Sequence, residues 1–263
     1  MIFLLLACSV EEPEPPEPAP VEGAAPGREM AFEYRPEGVE LVPSLVELHA
    51  AMTAAGLQEA AVVRARAVEH KPDVVVANIA AARTGAEIGA FAIEVGVADP
   101  DLVAERMARI QTGLDAIKVD GPASAAAQDM EAFLRTGPLP EEVLARLDNG
   151  RMHALDLVED HGGEEIIPLM AAGAWLQAFA LLAGAMEDTE RYEAGHALFH
   201  KPPIGDYFAT YAATVGGDVI PSGVLEPLEM NLQLMKTYTA SDPMSPEQVR
   251  AMREACEGLL GML

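Results

Sequence analysis

Cations, aromatic rings and cysteine are all scarce in this 263-residue chain. Lys plus Arg total 17 against 42 Asp plus Glu, a formal charge of −25, and only four residues are lysine. A surface this acidic repels phosphate backbones and anionic headgroups, so nucleic acid is not an expected partner and no direct binding to anionic lipid is expected. It suits solubility, and it also fits cationic partners or divalent ions. Aromatic residues make up 5% of the chain, and strand-like alternation is nearly absent after residue 41. The two cysteines are Cys8 and Cys256. Cys256 falls on the helical stripe Val249, Met252, Cys256, Leu259, Leu263 and reads as a small buried hydrophobe, not a nucleophile. No Gly-rich phosphate loop, Gly-x-Ser-x-Gly elbow or Cys-x-x-Cys pair occurs, and Gly162-Gly163 and Gly216-Gly217 read as turns. The sequence gives no expectation of a cofactor.

The N-terminus is where the sequence speaks most plainly. Leu5-Leu6-Ala7-Cys8 resembles the lipobox of bacterial lipoproteins, in which the chain is cut before the cysteine and the sulfur carries a lipid. Residues 1–8 then form a truncated signal peptide. Only seven residues precede Cys8 and none is basic, short of the usual leader of roughly 7–15 apolar residues behind a charged start. That predicts a true start upstream of Met1. With Cys8 taken by lipid, Cys256 is left alone and no intrachain disulfide forms. Residues 9–40 follow as a disordered Pro/Glu-rich tether. Its run EEPEPPEPAPVEGAAP holds six prolines and five glutamates, a composition that cannot bury apolar surface. Such a tether spans about 3 Å per residue. Ser9, not Asp, follows the cysteine, which in the lipoprotein sorting pattern favours the outer membrane over inner-membrane retention. The resemblance thus implies a lipid-anchored protein of the bacterial cell envelope, bound to a membrane through Cys8.

Residues 41–263 read as one all-α domain, a single helical bundle or irregular helical array of roughly eight to nine helices. Helices are expected from Pro43-Ser44 to Gly56, over Leu57–Glu69, from Pro72 to about Val95, after Asp99 along the stripe Val103, Met107, Ile110, Leu114, Ile117, and over Ser124–Arg135. Further ones are expected over Pro140–Asp160, Glu164–Met186, Asp206–Val215, Ser222–Tyr238 and Pro246–Leu260. Two of these are rich in small side chains. The helix ending near Val95 carries Ala80, Ala81, Ala82, Gly85, Ala86, Gly89 and Ala90. The stretch Ile166–Met186 holds seven alanines, two glycines and no charge over 21 residues. Small side chains allow close helix approach, so these two helices are expected at the centre. The second is long enough to cross a bilayer. Its alanine content, its acidic flanks and the lack of a basic residue to orient it favour a buried core helix.

Asn78 to Gly89 (NIAAARTGAEIG) and Ala172 to Phe179 (AGAWLQAF) are similar to the paired central helices of helical lipoproteins of Gram-negative bacteria, a family with no assigned activity. There the first helix carries a small-residue run with an acidic position and the second a Gly-Trp-acidic motif. Gln177 stands where that motif has its acid. The resemblance implies a fold class and an address, not a reaction.

Two groups of residues are candidates for a site. The segment Tyr192 to Tyr211 holds five of the thirteen aromatics and two of the six histidines. Glu193-x-x-His196 has the spacing used in di-iron bundles, and His196 and His200 stand four apart. A complete di-iron set needs a second such unit and two more glutamates, which are not found. A zincin would need Glu where Ala197 stands. The segment therefore reads as a loop packed on the bundle, aromatics buried and histidines at the surface, or as a small-ligand pocket walled by Phe199, Tyr207 and Tyr211. The second group is polar residues in the Ala-rich pair. Arg83 and Glu87 stand four apart and can pair on one helix, with Asn78, Glu94 and Gln177 near them, either as a structural ion pair or as a ligand cleft between the two helices. The leading expectation is a non-enzymatic interaction or structural lipoprotein. The alternative is a small-ligand or cation-binding lipoprotein using the 192–211 segment (His196, His200, Tyr207, Tyr211) or the central cleft (Glu87, Gln177).

Overall fold

A computed structural model describes residues 44–68, 76–97, 99–118, 122–150, 166–199, 202–216, 220, 222–239 and 243–263. Cys8, the leader over 1–8, the tether over 9–40 and His200 lie outside the described residues. Among those described there is no strand. They form eleven α-helices, more than the eight to nine expected. In chain order these are α1 (Leu45–Ala55), α2 (Gln58–Arg66), α3 (Ala77–Glu94), α4 (Pro100–Ala116), α5 (Pro122–Arg135), α6 (140–150), α7 (Ile166–Thr189), α8 (Tyr192–Phe199), α9 (Pro202–Tyr211), α10 (Ser222–Thr239) and α11 (Pro246–Met262). A π-helical turn, Ala212–Gly216, continues α9. The helix without a counterpart among the ten stretches expected is α8, in the 192–211 segment expected to be loop as far as Asp206. Proline at a helix's first turn costs nothing, because that N–H has no intrahelical partner. Pro202 therefore starts α9 four residues early.

Local chemistry sets the ends. Ser44 caps α1, its Oγ accepting from Glu47 N at 3.2 Å, and Gly56 closes it at φ 68°, a left-handed conformation that glycine adopts without a Cβ penalty. Asp99 caps α4 ahead of Pro100. Ser245 and Gln248 form a reciprocal capping box at the start of α11.

The centre is the pair α3–α7, the most extensive helix–helix contact in the described molecule. Its closeness follows from two glycines. A Cβ on Gly85 would stand 1.9 Å from the carbonyl oxygen of Met170, and one on Gly173 would stand 1.9 Å from that of Ala82. Each helix thus offers a glycine to the other's backbone, as the small-residue runs led us to expect. Around this pair, α4 packs on α3 and α5, and α2 bridges α3 and α7. α11 lies along α7, with α10 against α11 and α9. α7 is long and apolar enough to cross a membrane, yet 89% of its most apolar 18-residue window is buried by the other helices. In this fold it is the core helix.

Candidate functional site

The most concentrated polar chemistry lies inside the fold, where α2, α3 and α4 meet. Arg106 of α4 is 1% exposed. Its Nε and Nη2 donate to Glu94 Oε2 and Oε1 at 2.6 and 2.9 Å, a two-pronged contact. Nη1 donates to Glu87 Oε2 at 2.7 Å, and Nη2 also donates to the carbonyl oxygen of Ala65 at 2.7 Å. Arg109, half-exposed at the rim, adds a contact from Nε to Glu87 Oε2 at 3.3 Å. Two carboxylates and two guanidiniums balance. Burial alone would lower the Arg106 pKa, but Glu94 and Glu87 hold it above the ordinary arginine value. A guanidinium locked as a cation and bonded on all sides neither moves a proton nor leaves room for a ligand. Its consequence is geometric: it ties α4 to α3 at two points one helical stretch apart and to the end of α2.

Glu87 was expected to pair within its own helix, with Arg83. A buried partner, Arg106, comes from the neighbouring helix. Arg106 escaped sequence reasoning although a signal existed. It stands three after Val103 and four before Ile110, inside the apolar stripe, where an arginine is out of place unless it is paired.

A second polar chain runs outward from a buried histidine of α1. His49 is 5% exposed. A carbonyl only accepts, so Nε2 carries the proton and donates to Ala92 O at 2.9 Å, leaving Nδ1 to accept from Gln58 Nε2 at 3.1 Å. Thr53 Oγ1 donates on to Gln58 Oε1 at 2.6 Å. Burial pushes the His49 pKa down, against the hydrogen bond to Ala92.

The 192–211 segment is two short helices, correcting the loop expected there. Four of its five rings are buried and Tyr192 is partly so: Phe199 stacks on Phe179 with centroids 5.2 Å apart, and Tyr207 and Tyr211 are each 3% exposed. His196 is also buried, not at the surface as expected, because it shares the inward face of α8 with Phe199 while Glu193 faces solvent. Among the described residues no three His, Cys, Asp or Glu side chains converge as a metal set. Gln177 is buried on α7. Two small apolar grooves flank α7, of about 40 and 30 Å³, and share Leu169, Ala172, Leu176, Ile220 and Leu228. Asn78 is the only polar side chain on the first, beside Ile79 and Ala82. The candidates sit on separate elements: Glu87 in the Arg106 cluster on α3, His196 on α8, Tyr207 and Tyr211 on α9 and Gln177 on α7. Searches of family models, of curated proteins and of solved structures find nothing that matches this chain.

Proposed function

We propose that this chain is a lipid-anchored domain of the bacterial cell envelope, held to the outer membrane through Cys8 and acting by contact with another protein. The observation that carries the reading is the order of its first forty residues: an apolar run ending in Leu-Leu-Ala-Cys, then a Pro/Glu-rich stretch with no means of packing. An anchor followed by a spacer holds a domain at a distance from a membrane. Two features of the domain support action by contact. Glu87, Tyr207, Tyr211 and Gln177 are buried in ion pairing and packing, and the grooves beside α7 are each far below the few hundred Å³ that enclose a small molecule, while the wider cleft of about 580 Å³ beside α2, lined by Thr53, Gln58, Glu59, Val62 and Arg66, lies open at the surface. The surface is what remains to recognise a partner, and its charge of −25 selects for basic ones.

Expression from the native locus with an alkyne-palmitate label tests the anchor. A labelled band that sediments with outer membrane, and that Cys8→Ala abolishes, is the expected result. Label retained in Cys8→Ala would refute it.

A further inference from the structure

Ala61 and Ala65 of α2 turn inward, where that helix meets α3 and α7, and its other side faces solvent. Four residues of that side, Glu59, Val62, Val63 and Arg66, line the open cleft of about 580 Å³ together with Thr53 and Val97. Their spacing of three, four and seven keeps them on one side of the helix. Val63 is 60% exposed and Val97 43%, while Val62 is buried. Glu59 and Arg66 are both exposed, one at each end of this apolar centre and about 10 Å apart along the axis. Arg66 is unusual for this chain. Cations number 17 against 42 acids, and Arg64, Arg135, Arg250 and Arg253 are all ion-paired. Among the described residues, neither Arg66 nor Glu59 forms an ion pair.

The series Glu59, Val62, Val63, Arg66 is its own complement: reversed, with the charges exchanged, it reads the same. We infer that this face of α2 is an interface for a second copy of the chain, the two α2 helices lying antiparallel about a two-fold axis between residues 62 and 63. Glu59 then meets the partner's Arg66, Arg66 meets the partner's Glu59, and each Val63 projects toward the other copy's cleft. Such reciprocal contact is what two-fold symmetry requires. Parallel pairing would set like charges together, and a slip of one turn would set a charge against a valine, so the charges fix the register. α2 has nine residues and is about 13 Å long. The contact is therefore small against the roughly 800 Å² per partner of a stable complex, and the dimer is weak. Two chains of −25 charge repel at a distance, but physiological salt screens charges more than about 8 Å apart and leaves the contact pairs in force. The interface does not depend on the proposed lipid anchor, although copies held in one membrane plane would meet at a higher effective concentration.

The test is sedimentation equilibrium of the full chain carrying Cys8→Ala, at about 0.15 M salt. With α2 intact, the mass should rise from monomer toward dimer between about 10 μM and about 1 mM protein. Glu59→Arg sets Arg against Arg twice, and Arg66→Glu sets Glu against Glu twice, so each alone should weaken association about tenfold or more. Mixed in equal amounts, the two variants should associate again as a 1:1 pair, because one chain then brings two cations and the other two acids. Both chains remain strongly acidic, so net charge cannot drive that pairing. Val63→Asp should abolish association. All three positions are exposed, so the fold should survive, and helical circular dichroism checks it. A chain with α2 intact that stays monomeric at about 1 mM would overturn the inference. So would a mixture no better associated than its two components, which would place any self-association elsewhere on the surface.

Discussion

Single residues in this protein carry large energetic consequences where charge is buried, and Arg106 is the clearest case. Its removal leaves Glu87 and Glu94 inside the fold with their main counter-ion gone, at 4% and 2% exposure, and takes from the Ala65 carbonyl its side-chain donor, leaving the backbone N–H of Val68. Arg106→Met should therefore cost about 3–5 kcal/mol in urea unfolding. Neutralising the acids as well, in Arg106→Met with Glu87→Gln and Glu94→Gln, should recover most of that loss. Failure to recover would mean that the cluster stabilises by its net attraction and not merely by avoiding unpaired charge. His49 gives a pH dependence. Its folded imidazole is held below the ordinary value by burial, so the unfolded chain takes up a proton first as pH falls through about 6.5. The stabilisation is fully present above that pH and is lost below it, until the folded ring titrates in turn. Wild type should lose more stability between pH 7 and pH 5 than His49→Gln does. Ring ¹⁵N shifts should report a neutral ring protonated on Nε2 at pH 6.5; a charged ring there would contradict the assignment.

At the level of helices, the same glycine-to-alanine change should be costly at one position and nearly neutral at another on a neighbouring element. At Gly85 of α3 the added methyl meets the Met170 backbone, which cannot step aside without moving α7. At Gly184 of α7 it meets the guanidinium of Arg64, 2.3 Å from Nη1, the free end of a flexible side chain. Gly85→Ala should cost about 3 kcal/mol or more. Gly184→Ala should be close to neutral: helix propensity gains about 1 kcal/mol, and at most the half-exposed pair of Arg64 with Asp188 is lost, worth under about 1 kcal/mol. Thermal melts of the two variants side by side decide it, and equal losses would mean that the α3–α7 approach is not set by glycine. These elements also show what was legible in the sequence. The α3–α7 centre was readable because small residues concentrate in two long stretches, the second without a charge over 21 residues. Helix ends at Ser44, Gly56 and Asp99 were readable because capping is local. The 192–211 segment was misread because Pro202-Pro203 looks like a break, and only proline's tolerance at a first turn makes it a start. The pairing of Glu87 with Arg106 was out of reach of spacing rules: helical periodicity finds partners on the same helix, whereas this contact joins residues 19 apart across two.

For the whole molecule the deciding question is where α7 resides, since its length and composition fit a bilayer and a protein core equally well. The fold answers through packing. α3 and α11 lie along α7, α2, α8 and α9 touch it as well, and its glycines are matched to the backbone of α3 and the side chain of Arg64, neither of which lipid could replace. Its C-terminal end is fixed in water by charge: Asp188 binds Arg64 through two hydrogen bonds, and Glu187 binds Arg250 and Arg253 of α11. Dragging these acids into hydrocarbon would cost far more than burying alanines returns. A chain of −25 charge with its apolar helix enclosed should hold to a membrane only through the lipid proposed on Cys8. The Cys8→Ala protein should then remain in the supernatant after high-speed centrifugation without detergent, as a monodisperse species with the helical circular dichroism of the intact protein. If it instead pellets with membranes and resists carbonate extraction, α7 is a transmembrane helix and the closed arrangement around it is not the one the membrane-bound protein adopts.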